Sequence, residues 1–300
     1  MASLMLLCSF MEILNKNSTF PKNVSLILGF FDGIHIGHQE VIKSALGEYQ
    51  TVLVTFKKSP AEFFGKNVKY IYPRGFSYEC VKQLGVDYIL EFDFAELANL
   101  DADTYLKNLV DWFSPVKIFT GYNHTFGKNK LGNPKFLEKN QNKYGYEFFC
   151  VQECKKNEKT VSSTLIKELL QEGAVEKANN LLGRNFSIVS KVVDGAKLGR
   201  ELGYPTANMH YPEDIIKLPY GVYCVKVFNK PAILNWGIKP TVSGENEIIE
   251  VHILNFTGDL YGKGLEIEFI KKIRDEKKFN NLDALKFQIN EDIKQCSELL

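Results

Sequence analysis

The stretch Val24-Ser-Leu-Ile-Leu-Gly-Phe-Phe-Asp-Gly-Ile-His-Ile-Gly-His38 decides the fold of the first half of the chain. Residues 24–31 are a run of apolar β-forming residues, which predicts a buried strand. An amphipathic pattern over residues 39–46 predicts a helix soon after it. Between them lie His35 and His38, beside glycines that let the backbone approach a ligand closely. The stretch is therefore predicted to be a strand, a glycine turn and the start of a helix.

The same alternation of strand-like and helix-like segments continues to residue 182. Further strands are predicted at residues 51–56, 86–92, 116–120 and 146–152. Further helices are predicted at residues 76–84, 102–113, 136–144, 162–171 and 175–182. Alternation at this spacing predicts an α/β domain with a doubly wound parallel sheet.

The pattern changes after residue 182. Short runs of Val, Ile, Tyr and Phe, separated by Gly, Pro, Asn and Asp, occupy residues 186–193, 221–228, 248–255 and 265–271. This pattern predicts an all-β domain, a small antiparallel barrel. The apolar pattern of residues 282–293 predicts a helix at the C-terminal end of this domain. The predicted domains are residues 1–182 and 183–300.

Composition excludes several classes of function. The 37 basic and 36 acidic residues leave a net charge of +1, so we expect neither a nucleic acid nor a membrane partner. The six cysteines are scattered, and the close pair Cys150 and Cys154 lacks a second pair to complete a zinc site. Without disulfide-like spacing, a reducing cytoplasm is expected. The N-terminal apolar run is short and follows no Lys or Arg, unlike a secretion signal.

The two histidines admit three interpretations: an ordinary turn, a metal site or a phosphate site. A metal site needs a third and a fourth ligand. The chain offers only His124, His210 and His252 besides, and the last two fall in the other predicted domain. An isolated His-x-x-His would be interpreted as a turn. Placement between a strand and a helix favours phosphate, because the free N–H groups and the dipole of a helix start attract anions.

The segment Gly29-x-Phe-Asp-Gly-x-His-x-Gly-His38 resembles the His-x-Gly-His motif of the nucleotidyltransferase superfamily. In its longer form it is similar to the bifunctional prokaryotic riboflavin kinase/FAD synthetases, a resemblance that extends over roughly residues 11–295. It implies a first domain that joins FMN to ATP, giving FAD and pyrophosphate. Because FMN's phosphate is already an anionic nucleophile, that reaction needs positioning and charge neutralisation, with Mg²⁺, rather than a general base.

Two further segments match the first domain of that family. Gly121-Tyr-Asn-His-Thr-Phe-Gly127 is similar to its Gly-x-(Asn/Asp)-x-x-Phe-Gly loop, and Ser162-Ser-Thr-Leu-Ile-Lys167 to its Ser-Ser-Thr-x-Ile-Arg helix start. Alone, the first would be a surface turn and the second a plain helix cap. The resemblance makes His35, His38 and Lys167 catalytic. It implies phosphate or ATP contacts for Gly29, Phe31, Asp32, Gly37, Asn123, Thr125, Ser162, Ser163 and Thr164.

Two departures from the family pattern motivate an alternative. Lys167 stands where the family has Arg, and Lys lacks the bidentate grip of a guanidinium on phosphate. In Thr55-Phe-Lys-Lys-Ser-Pro60, Ser59 stands where the family has His, and Lys58 where it has Pro. The alternative is a monofunctional riboflavin kinase with a degenerate first domain.

The second half carries the longest match, Val193-Asp-Gly-Ala-Lys-Leu-Gly-Arg-Glu-Leu-Gly-Tyr-Pro-Thr-Ala-Asn208. Thr206 and Asn208 share one face of an extended segment and offer the oxygen ligands that Mg²⁺ prefers. Without the flanking string, Pro-Thr-Ala-Asn would be an ordinary turn. The string resembles riboflavin kinase, which implies that the glycine loop folds over ATP phosphates. The implied phosphate contacts are Gly195, Lys197, Gly199 and Arg200.

The remaining family segments follow in the same order. They are Gly221-Val-Tyr223, Asn235-Trp-Gly-Ile-Lys-Pro-Thr241, Glu250-Val-His-Ile-Leu254, Leu260-Tyr-Gly262 and Arg274-Asp-Glu-Lys-Lys-Phe279. An alcohol is a poor nucleophile at neutral pH, so riboflavin phosphorylation needs a base. The resemblance assigns that role to Glu250, although a lone Glu in such a run is usually an outward strand residue. It assigns flavin contacts to Asn235, Arg274 and Phe279, while His252 is expected to be structural.

The leading hypothesis is an enzyme that phosphorylates riboflavin and then adenylylates FMN. Its predicted partners are the small molecules ATP, riboflavin and FMN, and the sequence predicts no oligomeric state. A non-catalytic flavin-binding protein on the same scaffold is the remaining alternative. The complete glycine loop and Glu250 argue against it.

Overall fold

The computed structural model divides into two compact units, one ending at Ser162 and the other spanning Ser163–Leu300. The structure describes residues 11–15, 17–195, 199, 202–241 and 244–300. The predicted phosphate contacts Lys197 and Arg200 lie outside these residues. Each unit is described below by itself.

In its described part, the first unit contains a six-stranded sheet of order β1-β4-β3-β2-β5-β6 in which every neighbouring pair is parallel. This confirms the predicted fold class. The strands are β1 (Glu12–Leu14), β2 (Ser25–Leu28), β3 (Thr51–Phe56), β4 (Tyr88–Phe92), β5 (Lys117–Gly121) and β6 (Glu147–Val151). The sequence pattern missed β1, which has only three residues and lies at the edge of the sheet.

Helices cover both faces of this sheet, because alternate strand residues enter two separate cores. Leu26 and Leu28 pack on one face, and Ile27 packs on the other. The helices are α1 (Ile36–Ala45), α2 (Pro60–Phe63), α3 (Arg74–Gln83), α4 (Phe94–Leu97), α5 (Ala102–Phe113) and α6 (Pro134–Tyr144). The sequence predicted four of them within a few residues and missed the one-turn helices α2 and α4.

The strand order reverses direction at β2. The chain moves from β2 through β3 to β4 on one side, and from β5 to β6 on the other. In open α/β sheets, ligands bind at the carboxyl ends of the strands where the order reverses. The His35–His38 turn follows β2 and the Gly121–Gly127 loop follows β5, so the sheet brings both predicted loops to this point.

The second unit begins with two helices that pack onto a barrel. A short hairpin, β7 (Lys155–Lys156) and β8 (Lys159–Thr160), precedes α7 (Ser163–Gln171) and α8 (Val175–Leu182). The Asn179 side chain of α8 donates to the Phe269 carbonyl (2.8 Å) and accepts from the Phe186 N–H (2.7 Å). The compact unit that contains the barrel therefore also contains α7 and α8. The domain boundary at 182/183, predicted from the sequence, stays a prediction.

The barrel is closed and antiparallel, with strand order β10-β13-β12-β11-β14-β9. This confirms the second part of the predicted fold. Its elements are β9 (Phe186–Val193), β10 (Ala207–Met209), β11 (Gly221–Val227), β12 (Lys230–Thr241), β13 (Gly244–Ile253), β14 (Gly264–Arg274) and the C-terminal helix α9 (Leu282–Leu299). The sequence did not predict β12 as a strand, because Pro, Asn and Gly interrupt its apolar run.

A disulfide joins α9 to the barrel. Cys224 on β11 and Cys296 on α9 are bonded, with their Cα atoms 5.2 Å apart and a sequence separation of 72. Both are fully buried. The scattered cysteine spacing gave no sign of this bond, because only the tertiary fold brings the two positions together.

Candidate active sites

The first site is built around the turn that begins α1. His35 caps the helix, since its Nδ1 accepts a hydrogen bond from the His38 backbone N–H (3.3 Å), and the two rings stack with centroids 3.6 Å apart. The Asp32 carboxylate accepts from the Ile71 N–H at 3.0 Å. Ile34 adopts φ +43°, a left-handed conformation that is costly for a β-branched residue. The turn is therefore held from several sides against local strain.

Burial keeps His38 neutral. Desolvation, and then the charge of His35, hold the pKa of His38 well below 6.5. The Nδ1 of His38 is buried without a hydrogen-bond partner. The Phe31 and His38 rings pack edge to face, with their centroids 5.2 Å apart. A neutral imidazole with an unused ring nitrogen can exchange a hydrogen bond with a ligand oxygen.

The glycines of the motif keep space around these rings. A Cβ at Gly37 would lie 3.3 Å from the His35 ring and 3.4 Å from the Cys154 side chain. A Cβ at Gly29 would meet the Phe31 ring at 2.8 Å. Both glycines therefore serve the packing of the turn, whatever ligand it takes.

The loop after β5 combines exposed polar residues with a buried aromatic anchor. Asn123 and Thr125, both predicted contacts, are exposed. Phe126 is buried, and Gly127 has φ +70° with its Cα so close to Ala102 that a Cβ would lie 2.9 Å from that backbone. His124 stacks on Phe126 (5.6 Å), and burial lowers its pKa to about 4. Phe126 and Gly127 are therefore required for the packing of this loop, apart from any ligand that the loop binds.

Buried polar atoms without a partner concentrate in the first unit. Among the described residues there are seven such side-chain atoms, and six belong to this unit. They are His38 Nδ1, Thr55 Oγ1, Arg74 Nη2, Tyr78 OH, Thr120 Oγ1 and His124 Nε2. Thr55 and Thr120 lie near the carboxyl ends of β3 and β5. Native proteins rarely leave such atoms unpaired, so this edge of the sheet is suited to a polar ligand.

Arg74 is a residue of this site that sequence reasoning missed. Its guanidinium lies over the Phe30 ring at 4.8 Å, and its Nε donates to the Lys57 carbonyl at 3.2 Å. Burial lowers its pKa, while the surrounding carboxylates, Glu91 first, oppose that shift. No sequence signal links Arg74 to Phe30, because only the tertiary fold brings the start of α3 to the turn after β2.

Aromatic residues lie exposed near the same sheet edge. Phe63 and Phe64 are 51% and 70% exposed, and both pack against Phe94. Ser59, the departure from the family's His, caps α2 by accepting from the Ala61 N–H at 3.3 Å. Its own N–H donates to the Tyr70 hydroxyl at 2.9 Å. Ser59 therefore has a structural role.

The Ser162–Lys167 segment forms a helix start, as the sequence predicts. Helix α7 begins at Ser163, which puts Ser163 and the exposed Thr164 in its first turn and Lys167 one turn on. The division between the two compact units falls directly before this helix.

The second site is assembled by the register of the barrel strands. Glu250 lies opposite Asn208 on β10 and opposite Asn235 on β12. Val222 on β11 lies opposite both Asn235 and Arg274. Residues that face each other on adjacent strands are about 5 Å apart and point to the same side. The register therefore sets predicted metal, base and flavin residues in one row.

This row runs along the outside of the barrel. The neighbours of Glu250, Ile249 and Val251, are fully buried in the interior. On the other face, Val222 and Ile233 pack with Cys296 of α9. Helix α9 therefore covers one end of the row, and a cavity of about 310 Å³ lies beside it. Its lining includes Asn235, Glu250, Arg274 and Phe279.

The predicted metal ligands lie at the other end of the row. Asn208 is 6% exposed, and Gly195 packs so close to its amide that a Cβ there would overlap it. Thr206 lines the 310 Å³ cavity together with Gly199, and it also lines a second cavity of about 550 Å³. Thr206 thus stands where two cavities meet.

The surroundings of this row include residues that the sequence did not single out as site residues. Glu276 lines the 310 Å³ cavity, and burial raises its pKa while Arg274 opposes that shift. Gly237 leaves room for the Glu276 carboxylate, which a Cβ would overlap. His252, expected to be structural, contacts the Pro205 carbonyl at 2.9 Å through Nδ1.

These two sites, on an α/β nucleotide-binding unit and on a closed barrel, define a two-domain transferase of phosphoryl and nucleotidyl groups. The family model "FAD synthetase" matches residues 17–165, and "Riboflavin kinase" matches residues 182–300. The chain belongs to the family of bifunctional riboflavin kinase/FMN adenylyltransferases, and it carries both activities. The leading hypothesis is confirmed over the monofunctional alternative.

Curated relatives with this name align along most of their length. The protein of Buchnera aphidicola subsp. Schizaphis graminum is 35% identical over 90% of this chain and 92% of its own. Those of Haemophilus influenzae and Escherichia coli K12 are 33% and 32% identical, over 90% and 89% of this chain and 92% and 90% of their own. The resemblance that the motifs suggested therefore holds along both domains.

A solved structure with a different title is similar to this chain along most of its length. A Streptococcus pneumoniae chain titled "Macrolide-efflux Protein" has a TM-score of 0.85 and 28% identity, and the match covers 96% of this chain and 99% of that one. In the part of this chain that the structure describes, no helix has both the length and the apolar character needed to cross a membrane.

Proposed function

We propose that residues 1–182 adenylylate FMN and residues 183–300 phosphorylate riboflavin. The observation that carries the proposal is the row across β10, β13, β12, β11 and β14, which joins Asn208, Glu250, Asn235 and Arg274 beside one cavity. A second support is the concentration of unpartnered buried polar atoms in the first unit, among them Thr55 Oγ1 and Thr120 Oγ1 near the carboxyl ends of β3 and β5.

In the kinase domain, Glu250 is the general base. It takes the proton from riboflavin's terminal hydroxyl, so that the oxygen attacks the γ-phosphate of ATP and ADP leaves. Asn235, Arg274 and Phe279 line the 310 Å³ cavity together with Glu250, which supports a flavin site there. We assign ATP to the 550 Å³ cavity because Thr206 borders both cavities. Gly195, Lys197, Gly199 and Arg200 are the proposed phosphate contacts.

Mg²⁺ is the proposed metal of the kinase. The Thr206 hydroxyl and the Asn208 amide oxygen are hard donors, and Thr206 stands where the nucleotide and flavin cavities meet, so the donor set fits. When bound, Mg²⁺ would neutralise charge on the transferred phosphoryl group. Packing against Gly195 fixes the Asn208 side chain before any ligand arrives.

In the first domain, the proposed catalytic residues are His35, His38 and Lys167. The stacked imidazoles of His35 and the neutral His38 bind oxygens of the ATP phosphates, and Lys167 adds positive charge. The hydroxyls of Ser162, Ser163 and Thr164, and the exposed Asn123 and Thr125, complete the proposed contacts. Gly29, Phe31, Asp32 and Gly37 stay proposed ATP or phosphate contacts, and they also shape the turn. We place the enzyme in the cytoplasm because ATP is available there; the Cys224–Cys296 bond removes the argument from cysteine spacing.

Separate assays of the two half-reactions test the assignment. Riboflavin, ATP and Mg²⁺ should give FMN and ADP, and FMN, ATP and Mg²⁺ should give FAD and pyrophosphate. Asn208→Ala and Thr206→Ala should raise the Mg²⁺ concentration for half-maximal FMN formation by about tenfold, since each removes one oxygen ligand. FAD formation from added FMN should keep its Mg²⁺ dependence. If both reactions lose activity equally, the division between domains is wrong.

A further inference from the structure

Arg274, the proposed flavin contact, is held by a carboxylate from the C-terminal helix. Its Nε donates to both Asp292 carboxylate oxygens (3.0 and 3.1 Å), and its Nη2 donates to one of them at 2.8 Å. The Arg274 side chain is 15% exposed and that of Asp292 only 3%. A bidentate pair of this kind fixes the plane of a guanidinium as well as its position.

Other contacts complete the hold on Arg274. Its Nη1 donates to the Asp275 carbonyl at 3.0 Å, and its guanidinium carbon lies 5.8 Å from the Phe279 ring. Gln288, one turn before Asp292 on α9, donates to the Asp292 carboxylate at 2.9 Å. Within the described residues these bonds use three of the five N–H groups of Arg274, so two remain for a ligand.

The same helix is fixed to the barrel one turn further on. Cys296 follows Asp292 by four residues, lies on the same helix face and is bonded to Cys224 of β11. Both Arg274 and Asp292 line the 310 Å³ cavity with Glu250. Helix α9 thus brings a carboxylate to the flavin cavity from outside the barrel.

We infer that Asp292 is a positioning residue of the riboflavin kinase. It orients Arg274 so that the two remaining N–H groups face the flavin, whose ring carbonyls accept hydrogen bonds. Asp292 acts only through Arg274 and does not touch the reacting atoms. The inference rests on the proposed flavin contact of Arg274, and it assigns the specificity of that contact to α9, a helix outside the barrel.

Asp292→Asn tests this role, because it keeps the volume and removes the charge. The KM for riboflavin should rise about tenfold, the cost of one charged hydrogen bond. The kcat and the KM for ATP should stay within about twofold, because a contact made equally in ground and transition states affects KM alone. Glu291→Gln is the matched control, since Glu291 is the exposed neighbour on the same helix.

A double-mutant cycle separates positioning from mere structural support. Arg274→Ala alone should raise the KM for riboflavin, and adding Asp292→Asn to it should change that KM no further. If the two effects add, Asp292 acts independently of Arg274 and the inference is wrong. If Asp292→Asn leaves the KM for riboflavin unchanged while Arg274→Ala raises it, the inference is equally wrong. An unchanged KM in Arg274→Ala would instead refute the proposed flavin contact.

Gln288→Leu covers the case in which Asp292→Asn does not fold. It removes the hydrogen bond that holds the Asp292 carboxylate without leaving a buried charge unpaired. The KM for riboflavin should rise about threefold, as expected for one neutral donor. An unchanged KM in a folded Gln288→Leu enzyme would overturn the inference. FAD formation from added FMN reports that each variant retains a folded first domain.

Discussion

The candidate site of the first unit and that of the barrel satisfy their polar groups differently. Six of the seven unpartnered buried side-chain atoms among the described residues lie in the first unit, and only Ser187 Oγ lies in the barrel. In the barrel site, by contrast, Arg274 is bonded to Asp292, and Asn208 is packed against Gly195. The first site therefore needs a ligand to complete it, whereas the second is largely organised beforehand.

This difference separates two ways of building an active site. A preorganised site loses rate when a reacting group is removed, because nothing else can replace that group. A site completed by its ligand has several atoms that share the contacts, so a single change costs less. The kinase should therefore show larger single-residue effects than the adenylyltransferase.

Glu250→Gln should give the largest effect. Removing the base should lower kcat for FMN formation by about a thousandfold, within the range of general base catalysis. Riboflavin binding, followed by flavin fluorescence, should stay near the wild-type value because the side chains have the same shape. Glu266→Gln is the control, since Glu266 is an exposed strand residue of the same barrel. FMN formation above a tenth of the wild-type rate would contradict the base assignment.

His38→Asn should reduce FAD formation from FMN by about a hundredfold, because it removes one imidazole that contacts the transferred phosphate. FMN formation from riboflavin should not change. His210→Asn serves as the control, because His210 is exposed in the other unit. A loss greater than that of Glu250→Gln in its own reaction would reverse the ranking of the two sites.

The sequence predicted the elements of both folds better than it predicted contacts between distant residues. Period-two and helical patterns found most of the strands and helices, and the motif residues stay the predicted residues of the two sites. The pairing of Asn208 with Glu250 depends on strand register, which the sequence pattern left open. The Arg274–Asp292 pair, the Arg74–Phe30 contact and the Cys224–Cys296 bond escaped prediction for the same reason. Each joins residues whose own surroundings in sequence give no sign of the partner.

Gly195→Ala should give a smaller effect that depends on packing. A Cβ at this position would overlap the Asn208 amide and displace a proposed metal ligand. The Mg²⁺ concentration for half-maximal FMN formation should rise about tenfold, comparable to the loss of an outer contact of a metal ligand. Gly264→Ala is the matched control, because a Cβ there meets nothing within 4 Å. An unchanged Mg²⁺ requirement would show that Asn208 does not depend on this packing.

The smallest expected effect concerns His124 and the stability of the first domain. Burial holds its pKa at about 4, whereas the unfolded chain titrates near 6.5. The unfolded state therefore binds more protons between these pH values, and stability falls as pH decreases from about 6.5 to about 4. His124→Phe removes both this titration and the unpartnered Nε2, and Phe can keep the stack on Phe126. Its urea midpoint should equal or exceed that of wild type at pH 7.5, and the difference should grow at pH 5. His210→Asn is the control, because His210 is exposed, and its urea midpoint should show no such pH-dependent gain. If the gain of His124→Phe is the same at both pH values, the unpartnered ring nitrogen, rather than its titration, limits stability.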